Sequence, residues 1–192
     1  VLPFPDVIYN RVSTRSLENT PEVQRAFELI EERNTKLFNP GFFDKWTLTK
    51  YLQADPDLSK YLPYTKILIS SNDLHEALQK HSTVLLKPIN GKAGIGMIKI
   101  EENAGEYLVI YQTQQKKSKY RFTNLDLMTH LIQSLVQGKP YLIQQCISLA
   151  TYQGRPFDIR VLFQKNIQGE WGLSGAGVRI AGENAISTHV PM

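Results

Sequence analysis

The sequence predicts an α+β protein with mainly antiparallel sheets, divided between two subdomains, the second expected to be incomplete. From Thr83 onward, stretches rich in Val, Ile, Leu and Tyr follow one another across short turns, the pattern of hairpins rather than of helical crossovers. Helical stretches stand apart from these, each with a capping residue ahead of an apolar stripe. Between Lys87 and Met97 lies a G-x-x-G-x-G loop at Gly91, Gly94 and Gly96. The residues after it, Met97 to Ile100, are β-branched-rich and lack a helix cap, so they read as a strand and the loop as a hairpin tip. The dinucleotide fingerprint G-x-G-x-x-G and the P-loop G-x-x-x-x-G-K-[ST] both open a helix, so spacing and context exclude both.

Composition sets bounds. With 192 residues, 42% hydrophobic and 21% charged, the chain is of ordinary globular composition, large enough for one sizeable domain or two small subdomains. A net charge of +4 suits a small anionic ligand but does not argue for nucleic acid. No apolar run is long enough to span a membrane and no secretory signal pattern is present. The single Cys146 precludes an internal disulfide and suits a reducing compartment, so a cytoplasmic location is expected. The chain starts at Val1 and stops at Met192 straight after strand-like sequence, and both ends are expected to be cut from a longer protein.

In order, Val7 to Tyr9 reads as a short strand leading into a polar loop with Arg11 and Arg15. Thr20 with Pro21 starts a helix, expected to run to about Lys36 with Val23, Phe27 and Ile30 on one face. Leu37 to Asn39 is a short strand, and Pro40-Gly41 a turn. Asp44 caps a second helix with Leu48, Tyr51 and Leu52 on one face, and Asp55-Pro56 is expected to stop it. Thr65 to Ile69 is a strand; Ser70 and Ser71 cap a helix carrying Leu74, Ala77 and Leu78. The lysine strand, Thr83 to Pro88, and the glycine loop follow, then strands at 107–111 and 119–122. Asn124 caps a helix with Leu127, Met128, Leu131, Ile132 and Leu135 facing inward, closed by Gly138 and Pro140. Tyr141 to Gln145 is a strand. Phe157 to Phe163 and Trp171 to Ile180 form a hairpin around Asn166–Gly169. This divides the chain into an N-terminal segment (1–61), an α+β unit (62–147) and a further set of strands (148–192).

Several residue types in this order are suited to binding an anion. Glycines let backbone N–H groups approach a phosphate with no Cβ in the way, and Lys87 on the preceding strand would add a fixed positive charge. The alternative is a plain hairpin with a glycine-rich turn. Lys45 opposes the dipole of the helix it opens; it is either a solvated lysine or one aimed at an anion. Asp158 and Arg160 alternate onto one face of a strand and could form a same-face ion pair; Arg179 could be a surface residue. Cys146 reads as a small buried residue, since no histidine stands near it in a nucleophile pattern. His75, His81, His130 and His189 have no metal-ligand spacing, and the cluster Lys116, Lys117, Lys119 and Arg121 reads as a solvated hairpin, with an anionic partner the lesser alternative.

The ordered set resembles the ATP-grasp superfamily, and within it the YheC/YheD-type endospore coat-associated proteins. The pieces are Tyr9-Asn10-Arg11, Asp44-Lys45, Leu86-Lys87-Pro88 with its glycine loop, Leu142 to Gln145, Gly154 to Arg160, and Trp171 through Ala181. The resemblance implies an ATP-dependent ligase that joins a carboxylate to an amine or similar nucleophile through an acyl-phosphate, with association with the endospore coat. Its alternative is a structural coat component that keeps the fold without turnover. By resemblance, Lys45 and Lys87 neutralise the ATP phosphates, and Gly91, Gly94 and Gly96 fold over them as a lid. Adenine rests against Gln144, Gln145, Cys146 and Ile147. Asp158, Arg160 and Arg179 line the place where the terminal phosphate meets the acceptor. The family holds Mg²⁺ with an aspartate and a Glu-x-Asn pair; here Glu183 and Asn184 are adjacent, so the metal ligands are expected beyond Met192. Gln144 stands where many relatives carry glutamate.

Overall fold

The structure, a computed structural model, describes residues 3–91, 94–114 and 116–182. It comprises two compact units, one through Thr47 and one from Leu48 onward. In the first, β1 (Val7–Tyr9) pairs in parallel with β2 (Lys36–Phe38), with Ile8 beside Leu37. Between them come α1 (Arg15–Glu18) and α2 (Pro21–Glu32). The short α1 was not expected; Thr14 caps it, its hydroxyl accepting from the Leu17 N–H at 3.2 Å. α2 ends four residues before the expected Lys36, because the chain reverses at Asn34 (φ 52°) and the Lys36 N–H donates to Asp6 O. Joining a sheet removes those residues from the helix.

α3 (Lys45–Ala54) begins in the first unit, with Asp44 ahead of it. The Asp44 carboxylate accepts from the Thr47 N–H and hydroxyl, both at 2.7 Å, and these bonds hold its pKa below the usual value. α3 has no buried residue; Leu48 and Tyr51 are exposed. Asp55-Pro56 ends α3 but also starts α4 (Pro56–Ser59), because the Asp55 carboxylate accepts from the N–H groups of Asp57 and Leu58.

The second unit is organised by a six-stranded antiparallel sheet of order β3-β8-β4-β5-β6-β7. Its strands are β3 (Thr65–Leu68), β4 (Thr83–Pro88), β5 (Met97–Asn103), β6 (Glu106–Gln112), β7 (Lys117–Phe122) and β8 (Tyr141–Gln145). α5 (Ser71–Lys80) lies over β3, β8 and β4, and α6 (Leu125–Val136) over β6 and β7. Alternation sends Val84, Leu86, Ile98, Ile100, Val109 and Ile143 towards the helices, where they meet Leu74, Ala77, Met128 and Ile132. Each such side chain, removed from water, is worth about 1.5–3 kcal/mol, so the sheet's rigidity is set on this face.

α6 is rotated relative to the expected stripe. Met128 and Ile132 are fully buried while Leu127 is 60% exposed. Leu125, Leu131, Leu135 and Val136 flank the buried pair, so Leu127 falls on the solvent side. Gln137 and Gly138 both take positive φ and close the helix before Pro140.

A separate three-stranded sheet has the order β11-β10-β9, from β9 (Thr151–Tyr152), β10 (Arg155–Lys165) and β11 (Trp171–Ile180). The β10–β11 ladder shifts register between Leu162 and Phe163, a bulge that bends the hairpin.

Candidate functional site

The face of the large sheet opposite the helices carries the polar residues. On β4, Leu85 and Lys87 point there; on β8, Leu142 and Gln144; on β5, Met97, Lys99 and Glu101. Lys87 is half-buried, and burial pushes its pKa below that of an ordinary lysine, with Cys146 opposing the shift weakly. Its ammonium donates to Gln144 Oε1. Among the described residues it forms no ion pair with a carboxylate. Lys99 is differently placed, held by Glu101 at 2.6 Å. A half-buried cation whose protein partner is a neutral amide is poised for an anion from outside.

The glycine loop joins β4 to β5, as the sequence predicts. Its glycines serve two ends. Gly94 and Gly96 adopt φ of 73° and 77°, which disfavour any side chain. Gly91 instead lies against Pro88, where an added Cβ would sit 3.0 Å from Pro88 Cβ. The base of the loop is clamped. Gly91 N–H donates to Pro88 O, Gly96 N–H to Gln112 O at 2.8 Å, and the Tyr141 hydroxyl to Gly96 O at 2.9 Å. Tyr141 is 3% exposed, and burial together with neighbouring Tyr111 pushes its phenol up to about 12. Beside this base Gln112 is 4% exposed, and its side-chain oxygen has no hydrogen-bond partner among the described residues. Sequence reasoning missed Tyr141 and Gln112; neither stands in a motif.

The end of β8 leads away from this face. The Gln145 N–H donates to Tyr64 O, and the Cys146 N–H to Thr83 O at 3.1 Å. Both backbone donors are therefore taken up by the sheet. Ile147 is exposed, and its N–H makes no hydrogen bond among the described residues. Cys146 is half-buried; burial raises its thiol pKa, with Lys99 and Lys87 pulling the other way.

On the smaller sheet, Asp158 lies opposite Arg179 and Arg160 opposite Gly177, so these three side chains share one face. Arg179 grips the Asp158 carboxylate with two hydrogen bonds, Nε to Oδ1 at 2.9 Å and Nη2 to Oδ2. Asp158 and Arg179 thus form an ion pair across the two strands. Lys45 opens α3 in the first unit; the remaining predicted site residues lie in the second. Glu183, Asn184 and His189 fall outside the described residues. His75 and His81 are engaged structurally, by Thr129 Oγ1 at 3.2 Å and by the Tyr64 ring.

A strand lysine, a glycine hairpin and a polar strand end on one sheet face invite comparison with known proteins. The chain is 31% identical to the endospore coat-associated protein YheD of Bacillus subtilis over 99% of its own length and 42% of that protein's. It is 26% identical to YheC of the same organism, covering 93% of this chain and 49% of the relative. It therefore spans less than half the length of either. In fold it is similar to D-alanyl-alanine synthetase A of Vibrio cholerae, with a TM-score of 0.52 and 14% identity over 93% of this chain and 47% of that one. The model of the YheC/D-like ATP-grasp family matches residues 34–192. The fold is the ATP-grasp fold, and the chain belongs to the YheC/D-like ATP-grasp family.

Proposed function

We propose that this chain supplies the nucleotide-binding face of an ATP-dependent carboxylate–amine ligase. The observation that carries the reading is Lys87: a half-buried ammonium beside a neutral amide and at the foot of a glycine hairpin. A triphosphate would provide the counter-charge that the described residues withhold. On this reading residues 62–147 form the smaller subdomain and 148–192 open the larger one. Lys87 holds the phosphates, and the loop at Gly91, Gly94 and Gly96 covers them. Gln144 and the backbone at Gln145, Cys146 and Ile147 border the adenine; the N–H of Ile147 is suited to this because no described group engages it. Asp158, Arg160 and Arg179 face the terminal phosphate and the incoming carboxylate. The chemistry is positioning plus charge stabilisation, with water excluded from the acyl-phosphate.

Among the described residues no group of three or more His, Cys, Asp or Glu side chains is placed to hold a metal ion. The ligands of the Mg²⁺ that would accompany the nucleotide are proposed to lie beyond Met192. The names of YheD and YheC support a place at the endospore coat. No helix among the described residues is long and apolar enough to cross a membrane.

A second reading, a coat component that keeps the fold without turnover, is favoured by Asp158 and Arg179, which are engaged with each other. Titration calorimetry of the full-length protein with a non-hydrolysable ATP analogue, with and without Mg²⁺, separates the two. Micromolar, metal-dependent binding that Lys87→Ala abolishes is the expected result. A folded protein that binds no analogue would leave the structural reading in place.

A further inference from the structure

The side-chain amide that faces Lys87 has its orientation dictated from behind. Thr65 stands opposite Gln144 in the β3–β8 ladder and is 8% exposed. A hydroxyl has one proton to give. That of Thr65 goes to the Pro63 carbonyl at 3.0 Å, leaving Oγ1 only lone pairs to offer. At 2.9 Å from Gln144 Nε2 it must therefore accept, and the amide must donate. With its NH₂ committed to Thr65, the amide turns its oxygen to the ammonium of Lys87. The opposite rotamer would set an NH₂ against an NH₃⁺ and a hydroxyl lone pair against a carbonyl oxygen, losing both bonds.

We propose that Thr65 is a positioning residue for Lys87: by locking the Gln144 amide with its oxygen toward the lysine, it keeps the ammonium charged and aimed across the open sheet face. The chain Pro63 O, Thr65 hydroxyl, Gln144 amide, Lys87 ammonium runs in one direction, each link fixing the polarity of the next. Its purpose, presenting a cation to a nucleotide phosphate, rests on the function proposed above; the orientation itself does not. Among the described residues, Cys146 after β8 acts on Lys87, and the Lys99–Glu101 pair on β5 shares its sheet face and acts on Cys146. None of them contacts Thr65 among the described hydrogen bonds.

The test measures individual lysines in the full-length protein. Competitive acetylation by acetic anhydride across a pH series, read by peptide mass spectrometry, gives the midpoint of Lys87 beside that of Lys99 as an internal control. Thr65→Val, close in shape but without the hydroxyl, is expected to lower the Lys87 midpoint by about one pH unit and leave Lys99 unchanged. Thr65→Ser is expected to restore it. The alkaline limit of ATP-analogue binding should move by the same amount in Thr65→Val. An unchanged Lys87 midpoint in a folded Thr65→Val protein overturns the proposal. Should that variant not fold, Gln144→Glu decides: two accepting oxygens should raise the Lys87 midpoint, and no change there overturns it equally. A shifted Lys87 midpoint in a protein that binds no analogue at any pH would support the positioning role and reject the nucleotide reading.

Discussion

The hydroxyl of Tyr141 donates at 2.9 Å to the carbonyl of Gly96, so that the first residue of β8 holds the last glycine of the loop between β4 and β5. The bond is almost wholly buried on the tyrosine side, where the ring joins the helix-facing core. Core packing and loop anchoring are thus joined in one side chain.

Tyr141→Phe keeps the ring and removes the anchor. It is expected to cost about 1 kcal/mol in urea unfolding, the usual net worth of such a bond. The Gly96 amide, which donates to Gln112 O, should exchange its hydrogen faster than in the parent. Unchanged exchange at Gly96 would show that the hydroxyl does not hold the loop.

Gly96→Ala is expected to be worse than a matched glycine elsewhere. Gly96 and Gly105 have φ of 77° and 83°, so both oppose a side chain on conformational grounds. A Cβ at Gly96 would also meet Pro88 Cγ at 3.1 Å and Tyr141 Oη at 3.2 Å, whereas at Gly105 it meets nothing within 4 Å. Gly105→Ala should cost about 1 kcal/mol from backbone strain, and Gly96→Ala clearly more. Equal losses in thermal or urea unfolding would mean that the loop yields without effort.

Asp73 links acid stability to α5. Its carboxylate receives Lys66 Nζ at 2.6 Å and the N–H groups of Ser70 and Ile69, the lysine being the largest influence. Together they bring its pKa from 3.8 to about 2. A carboxylate with a lowered folded-state pKa stabilises the fold above its unfolded value, and that contribution disappears as pH falls through the folded one. Parent stability should therefore decline between roughly pH 4 and pH 2, and Asp73→Ala should show less of this decline. At neutral pH the substitution should cost about 1–2 kcal/mol by loss of the cap. A parallel acid profile in the variant would contradict the assignment.

The Asp158–Arg179 pair should be structurally cheap. Both side chains are about a third exposed, at 31% and 29%. A double-mutant cycle with Asp158→Asn and Arg179→Gln is expected to return a coupling of about 0.2–1 kcal/mol, weakening with salt. If instead the pair couples by several kcal/mol, it holds the β10–β11 hairpin together, and its proposed service to a terminal phosphate loses support.

What the sequence determined by itself is local. Short apolar and aromatic runs bounded by turn residues marked β4, β8 and β11 with their observed bounds, because such residues suit an extended backbone and turn residues interrupt it. Asp44 and Asn124 announced their helices because a side chain that caps an N-terminus acts within three residues. The glycine spacing announced a hairpin tip, since the backbone at Gly94 and Gly96 disfavours other residues. Competition from another element broke such reasoning at the end of α2, where β1 claims Lys36, and at Leu127, whose side of α6 is decided by where the sheet lies. Only the tertiary structure decided the partners of the polar groups. Thr65, Gln144 and Lys87 come together because β8 inserts between β3 and β4, bridging separations of 79 and 57 residues. Asp158 meets Arg179 because the hairpin register sets them opposite one another. Hydrogen-bond polarity and ion pairing depend on distances of about 3 Å, and strand order and register alone bring remote residues that close.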